Sequence, residues 1–176
     1  AAALDIVRRG GMAALTARSL AAELGSSAKP VFGLFENMQE VQDEVVRAAN
    51  AEYQSFLRAE MMRGAYPPYK ASGIAYIAFA RQEKELFNLL FMRDRTEEDS
   101  ETEDESIDGI ISLISRNTGL SNEDARLFHL EMWIFVHGIA TMIVTGYLDW
   151  EEEYVSRTLT DVYEGLKARW CGGNGK

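Results

Sequence analysis

GGMAALTARSLAAELGSSAKPVFGLFENMQEV, running from Gly10 to Val41, is the stretch that decides the fold. Thr16 is a good N-cap, because its hydroxyl can accept from a free amide in the first turn of a helix. Ala17, Leu20, Ala21 and Leu24 follow at i, i+3, i+4 and i+7 and share one face. Gly25 is a stop signal, since glycine takes a left-handed conformation at little cost. Ser26 or Ser27 can cap a second short helix, with Pro30 in its first turn, where the missing amide has no intrahelical partner anyway. Val31 and Phe35 point back to the first helix, while Lys29 and Gly33 point away from it. Asn37 and Glu40 form a capping pair at the start of a third, long helix.

Two capped helices across a glycine turn, the second offered outward, make a helix-turn-helix. Ser27, Ala28, Lys29, Pro30 and Gly33 give the second helix a thin outer face. Small residues let a backbone approach DNA, and Lys29 with the hydroxyls can reach phosphates or base edges. The same residues also suit a plain αα-hairpin.

The order Gly10-Gly11-Met12, Leu15 to Ala21, Leu24-Gly25-Ser26-Ser27, Val31 to Phe35 and Asn37-Met38 resembles the N-terminal domain of the TetR family of transcriptional regulators. The likeness covers about the first quarter of the chain. It implies an all-α protein, with a three-helix DNA-binding headpiece followed by a helical ligand-binding and dimerisation bundle. The boundaries expected are 1–46 for the headpiece, 47–170 for the bundle and 171–176 for a flexible tail. The DNA-facing set is Thr16, Arg18, Ser26, Ser27, Ala28, Lys29, Pro30, Phe32, Gly33 and Leu34. The family usually has tyrosine at Phe32, often histidine at Leu34, and lysine at Met38, all able to touch phosphate. Each lost ionic phosphate contact should flatten the salt dependence of DNA binding by about one unit of slope.

The chain has 176 residues, 47% of them hydrophobic, enough for a sizeable core, and a formal net charge of −10. The charge is uneven. From Ala1 to Phe35, the four cations Arg8, Arg9, Arg18 and Lys29 face only Asp5 and Glu23, a balance of +2 that leaves −12 for the remainder. A basic head on an acidic body fits a protein that docks DNA with one end. Cys171 is the single cysteine, so no intrachain disulfide forms and a reducing cytoplasm is the simplest home. No signal peptide is visible, and the greasy run from Met132 to Tyr147 reads as too short and interrupted for a membrane span. Ala1 lies within a helical pattern, so upstream residues are expected.

Outward from the motif, Ala2 to Arg9 reads as a helix with Ala3, Leu4 and Val7 inside. Its Arg8 and Arg9 either approach DNA or simply complement the helix end. The third helix continues through Val41, Val45, Ala48, Ala49 and Phe56 to Met62, and Pro67-Pro68 breaks the chain. Lys70 to Met92 reads as helical. Asp94 to Glu105 reads as a solvated acidic connection rather than a metal site. Ile107 to Asn117 is a short helix closed by Gly119. Ser121 caps the longest helix, expected to reach about Trp150, and Glu151 to Arg169 is the last.

Two apolar stripes on the helix after Ser121 imply cover on two sides. A dimer through the last two long helices is expected, using Ile134, Thr141, Val144, Leu148, Val155, Leu159, Val162 and Leu166. No catalytic constellation, phosphate loop, metal site or cofactor motif is apparent, so an enzyme is not expected. The aromatic body suits a small hydrophobic or aromatic ligand, with Tyr76, Phe79, Phe87, Phe91, Trp133 and His137 as candidate lining and ordinary core packing as the alternative. The expected function is a cytoplasmic homodimeric regulator, a repressor that a small molecule releases from a palindromic operator in double-stranded DNA. The alternative is a helical ligand-binding or interaction module with a degenerate headpiece.

Overall fold

A computed structural model describes residues 1–25, 33–93 and 101–172, with the side chains of the last segment described from 107 onward. Among the described residues there are eight α-helices and no strand. They are α1 (Ala2–Gly10), α2 (Ala17–Glu23), α3 (Met38–Arg63), α4 (Pro68–Gln82), α5 (Lys84–Phe91), α6 (Glu101–Thr118), α7 (Asn122–Val144) and α8 (Glu152–Gly172). The all-helical class is the one expected from the sequence.

The helix ends follow from local chemistry. Pro68 opens α4 at the position where its missing amide is harmless, and Ala71 donates to the Pro67 carbonyl at 2.9 Å. Ser121 caps α7 by accepting from the Asp124 amide at 3.1 Å. Gly119, with φ 76°, separates α6 from α7.

Four boundaries differ from expectation. Lys70–Met92 is two helices, broken at Glu83, whose φ of −122° and ψ of 53° are not helical. The acids Glu101 to Glu105 belong to α6 rather than to a connection; 94–100 lie outside the described residues. The helix after Ser121 stops at Val144, not near Trp150. Gly146 turns left-handed at φ 74°, and the amides of Tyr147 and Leu148 both fold back to the Met142 carbonyl. It is therefore shorter than α3. At the other end α8 takes in Cys171 and Gly172 of the expected tail; residues 173–176 lie outside the described residues.

The chain divides into two compact units, Ala1–Phe56 with Phe79–Asp94, and Leu57–Ala78 with Arg95–Lys176. In the first, Ile6, Val7, Leu15, Leu20, Val41, Val45 and Ala49 are buried together with Phe79, Leu86 and Phe87. An aromatic cluster continues this core. Tyr53 lies 5.3 Å from Phe79 and 5.2 Å from Phe91 between ring centres, Phe56 lies 5.3 Å from Phe79, and Phe87 lies 5.2 Å from Phe91. Tilted and edge-on pairs of this kind add to the burial of the rings themselves.

In the second unit, Ile111, Ile114, Ala125, Phe128 and Met132 form a core cluster, against which Tyr69, Val162, Tyr163, Leu166 and Trp170 pack. Gly73 of α4 faces Leu159 of α8 and Val136 of α7; a Cβ placed there would stand 3.5 Å from each. By length and apolar composition alone α7 could cross a membrane. Here its face of Ala125, Phe128, Met132, Val136, Ile139 and Val144 is buried in the folded chain.

Candidate nucleic-acid interface

The headpiece start is built from backbone groups that helix α2 would otherwise leave unpaired. Thr16 Oγ1 accepts from the Ser19 amide at 3.1 Å, and Ser19 Oγ accepts from the Thr16 amide at 2.9 Å, a reciprocal capping box. Leu15 and Leu20 anchor the turn and the helix in the core. Gly25 takes φ 61° as the stop signal required. Glu40 donates its amide to Asn37 Oδ1 at 3.0 Å, and its own carboxylate accepts from the Glu36 amide at 2.7 Å. The capping pair at the head of α3 is present, shifted by one residue in its second bond.

Of the residues expected to face DNA, Thr16 and Arg18 are exposed on α2, and Arg18 has no ion-pair partner among the described residues. Gly33 and Leu34 are also exposed, Leu34 at 82%. Ser26, Ser27, Ala28, Lys29, Pro30 and Phe32 lie outside the described residues. Among the described residues, the other two headpiece cations, Arg8 and Arg9, are committed internally. Arg9 pairs with Glu23 at 2.6 Å, joining α1 to α2. Arg8 is held by Glu83, Glu52 and Asp5, which keep its charge above the ordinary arginine pKa, the Glu83 hydrogen bond contributing most. Only the Asp5 partner, three residues away, was visible as a helical pair in the sequence.

The six candidate pocket residues fall into two groups in different units. Phe79, Phe87 and Phe91 belong to the aromatic cluster of the first, where Phe79 and Phe87 are fully buried. Burial also pushes the Tyr53 phenol of this cluster up to about 12. Tyr76, Trp133 and His137 belong to the second. Tyr76 and His137 are bonded, hydroxyl to Nδ1, at 2.8 Å, and the Trp133 ring stacks on the imidazole at 4.8 Å and 12°. A second pair, Tyr69 and His129, repeats the bond at 3.0 Å. Partial burial lowers the pKa of both histidines. The repeat has a signal in the sequence: Tyr69 and Tyr76 are seven apart, His129 and His137 eight.

The residues of the expected dimer surface lie in different surroundings in the single chain. Val144, Val155 and Leu159 are buried in the single chain, at 6%, 2% and 3% exposure. Val162 and Leu166 lean on the unit's core cluster, and Thr141 and Leu148 are half-buried. Ile134 is exposed. The apolar side chains that α7 leaves in solvent are Leu127, Leu130, Trp133, Ile134 and Met142.

Residues 69–163 match the family model described as "Tetracyclin repressor-like, C-terminal domain". No curated protein matches the chain. Among solved structures, a TetR-like transcriptional regulator from Rhodococcus sp. RHA1 superposes with a TM-score of 0.66 at 15% identity, over 98% of this chain and 93% of that one. At that identity the likeness speaks for the fold. The family match reaches over more than half of the sequence, wholly outside the headpiece that suggested the same family on its own residues, and the chain belongs to the TetR family.

Proposed function

We propose that this TetR-family chain is a cytoplasmic DNA-binding repressor, acting as a homodimer on a near-palindromic operator and released by a small hydrophobic or aromatic molecule. The observation that carries the reading is the capped helix α2, closed by left-handed Gly25, with Arg18 turned outward and unpaired among the described residues. Residues 1–46 supply the headpiece and 47–170 the ligand-binding and dimerisation part. Thr16, Arg18, Gly33 and Leu34 belong to the DNA-facing set with Ser26, Ser27, Ala28, Lys29, Pro30 and Phe32. Two such heads read half-sites about 34–36 Å apart in successive major grooves. A ligand acts by favouring a conformation that DNA does not accept. Tyr76 and His137 are the polar groups best placed to orient one, since each carries a hydrogen-bonding atom beside an aromatic ring.

The test is a gel shift at low salt with DNA flanking the protein's own gene. Retardation by about micromolar protein is expected, and Arg18→Ala or Lys29→Ala should weaken it. No retardation would favour the second reading, a ligand-binding or interaction module with a degenerate headpiece. The exposed, apolar Leu34 and the internal pairing of Arg8 and Arg9 are what speak for that reading.

A further inference from the structure

Arg8 sits in the last turn of α1, where a basic side chain usually lies in water beside free carbonyls. Here its guanidinium is divided among three carboxylates on three elements. Nε donates to Glu83 Oε2 at 3.0 Å, Nη2 meets Glu52 Oε1 at 3.0 Å, and Nη1 reaches Asp5 Oδ1 at 3.4 Å. The side chains of Arg8 and Glu83 are only 30% and 18% exposed, so salt screens this group less than an open surface pair. A planar fork with five donors can serve three acceptors at once, and a lysine ammonium cannot reproduce that geometry.

Both distant partners sit next to the aromatic cluster. Glu52 precedes Tyr53 on α3. Glu83 donates its amide to the Phe79 carbonyl at 2.8 Å and accepts from the Phe87 amide at 2.8 Å. Glu83 also occupies the N-cap of α5 without capping it, because its carboxylate is turned to Arg8 instead. A second contact joins the same elements. Gly11, at φ 68°, follows α1 so closely against α5 that a Cβ there would lie 3.1 Å from Glu85 Oε2.

We propose that Arg8 is a positioning residue, a charge latch that fastens α1 of the DNA-binding headpiece to α3 and to the α4–α5 junction, and that opens when those elements part. The proposal rests on the DNA-binding reading for its consequence, not for its mechanics. The bonds at 3.0 Å are lost at about 3.6 Å, so a shift of well under one helical turn releases them. Any molecule that spreads Tyr53 from Phe79 and Phe91 displaces Glu52 and Glu83 with them. Release reaches α2 as well, because Arg9 ties it to α1 through Glu23.

The test uses the full chain and hydrogen exchange resolved to single helices. Arg8→Gln should speed exchange of the Asp5–Gly11 amides about tenfold while leaving the α7 amides unchanged. Arg8→Lys should fall between the two. Raising salt from about 0.05 to 0.5 M should speed α1 exchange in the wild type but not in Arg8→Gln. Should Arg8→Gln lose its fold, the lysine variant and the wild-type salt series carry the same test. On DNA flanking its own gene, Arg8→Gln should bind about tenfold more weakly with the wild-type salt slope, whereas Arg18→Ala should lower that slope by about one unit. Wild-type exchange in Arg8→Gln overturns the latch. So does a slope lowered by one unit, which would make Arg8 a phosphate contact. A wild type that binds no DNA defeats the DNA-binding reading alone, and the exchange result still decides the latch.

Discussion

His129 and His137 each share a hydrogen bond with a tyrosine of α4, and both are partly withdrawn from water. Burial disfavours the imidazolium, so each folded-state pKa lies below the ordinary 6.5. The unfolded chain, titrating near 6.5, then takes up protons before the native one as pH falls. The stability these residues contribute is complete above about pH 6.5 and declines below it, toward their lowered native values. Thermal melts between about pH 7 and 5 should show a falling midpoint, and a His129→Gln, His137→Gln double variant should show a shallower fall. Equal slopes would mean that carboxylates govern the whole response. Gly73 makes a second prediction at this scale. It lies inside α4 with no positive φ, and a methyl group would meet Leu159 and Val136 at ordinary contact distance. Gly73→Ala should stabilise the chain by about 0.5–1 kcal/mol, read as a raised melting midpoint or denaturant midpoint.

The same substitution should have the opposite sign where a helix ends. Gly146 terminates α7 at φ 74° with open space around it, so Gly146→Ala meets no neighbour, only backbone strain. A loss of about 1 kcal/mol is expected, since an L-residue is penalised by about that much in the left-handed region. Removing the α2 cap with Thr16→Ala should cost about as much, because a first-turn amide loses its acceptor. Both losses are measured by denaturant unfolding at unchanged m-value. Ends of this type were legible in the sequence. Thr16, Gly25, Asn37, Gly119 and Ser121 act through bonds spanning three or four residues, and their residue types announce those bonds. The break at Glu83 was not legible, for it has neither glycine nor proline, and its carboxylate answers Arg8, 75 residues away. The acids at 101–105 misled in the other direction, since solvated charge suits a helix surface as well as a connection. The inner face of α7 was hidden for a third reason. A helix apolar all round has no single moment, and the buried series through Phe128, Met132 and Ile139 competes in sequence with the exposed one through Leu127, Leu130 and Ile134.

For the whole molecule, that exposed series carries the proposed dimer. Leu127, Leu130 and Ile134 follow three-four spacing, with Trp133 beside them, and each is between 42% and 59% exposed in the single chain. Four large apolar side chains on one helix form a patch of the kind that marks a contact surface. Self-association suits it because a two-fold axis brings identical faces together. Leu130→Glu and Ile134→Glu place charge on that face while replacing side chains their own unit does not bury. Each should therefore melt close to the wild type yet sediment as a monomer at concentrations where the wild type is a dimer. DNA affinity should fall with the dimer, since one head holds only one half-site. Leu159→Ala is the counterpart: at 3% exposure it should cost about 2–5 kcal/mol of stability through the cavity it leaves. Its dimer should persist wherever the chain remains folded. A wild type that sediments as a monomer at about 100 μM, far above the micromolar range of a specific contact, removes the dimer and with it the two-headed operator. Glutamate variants that sediment with the wild type would instead move the interface off α7.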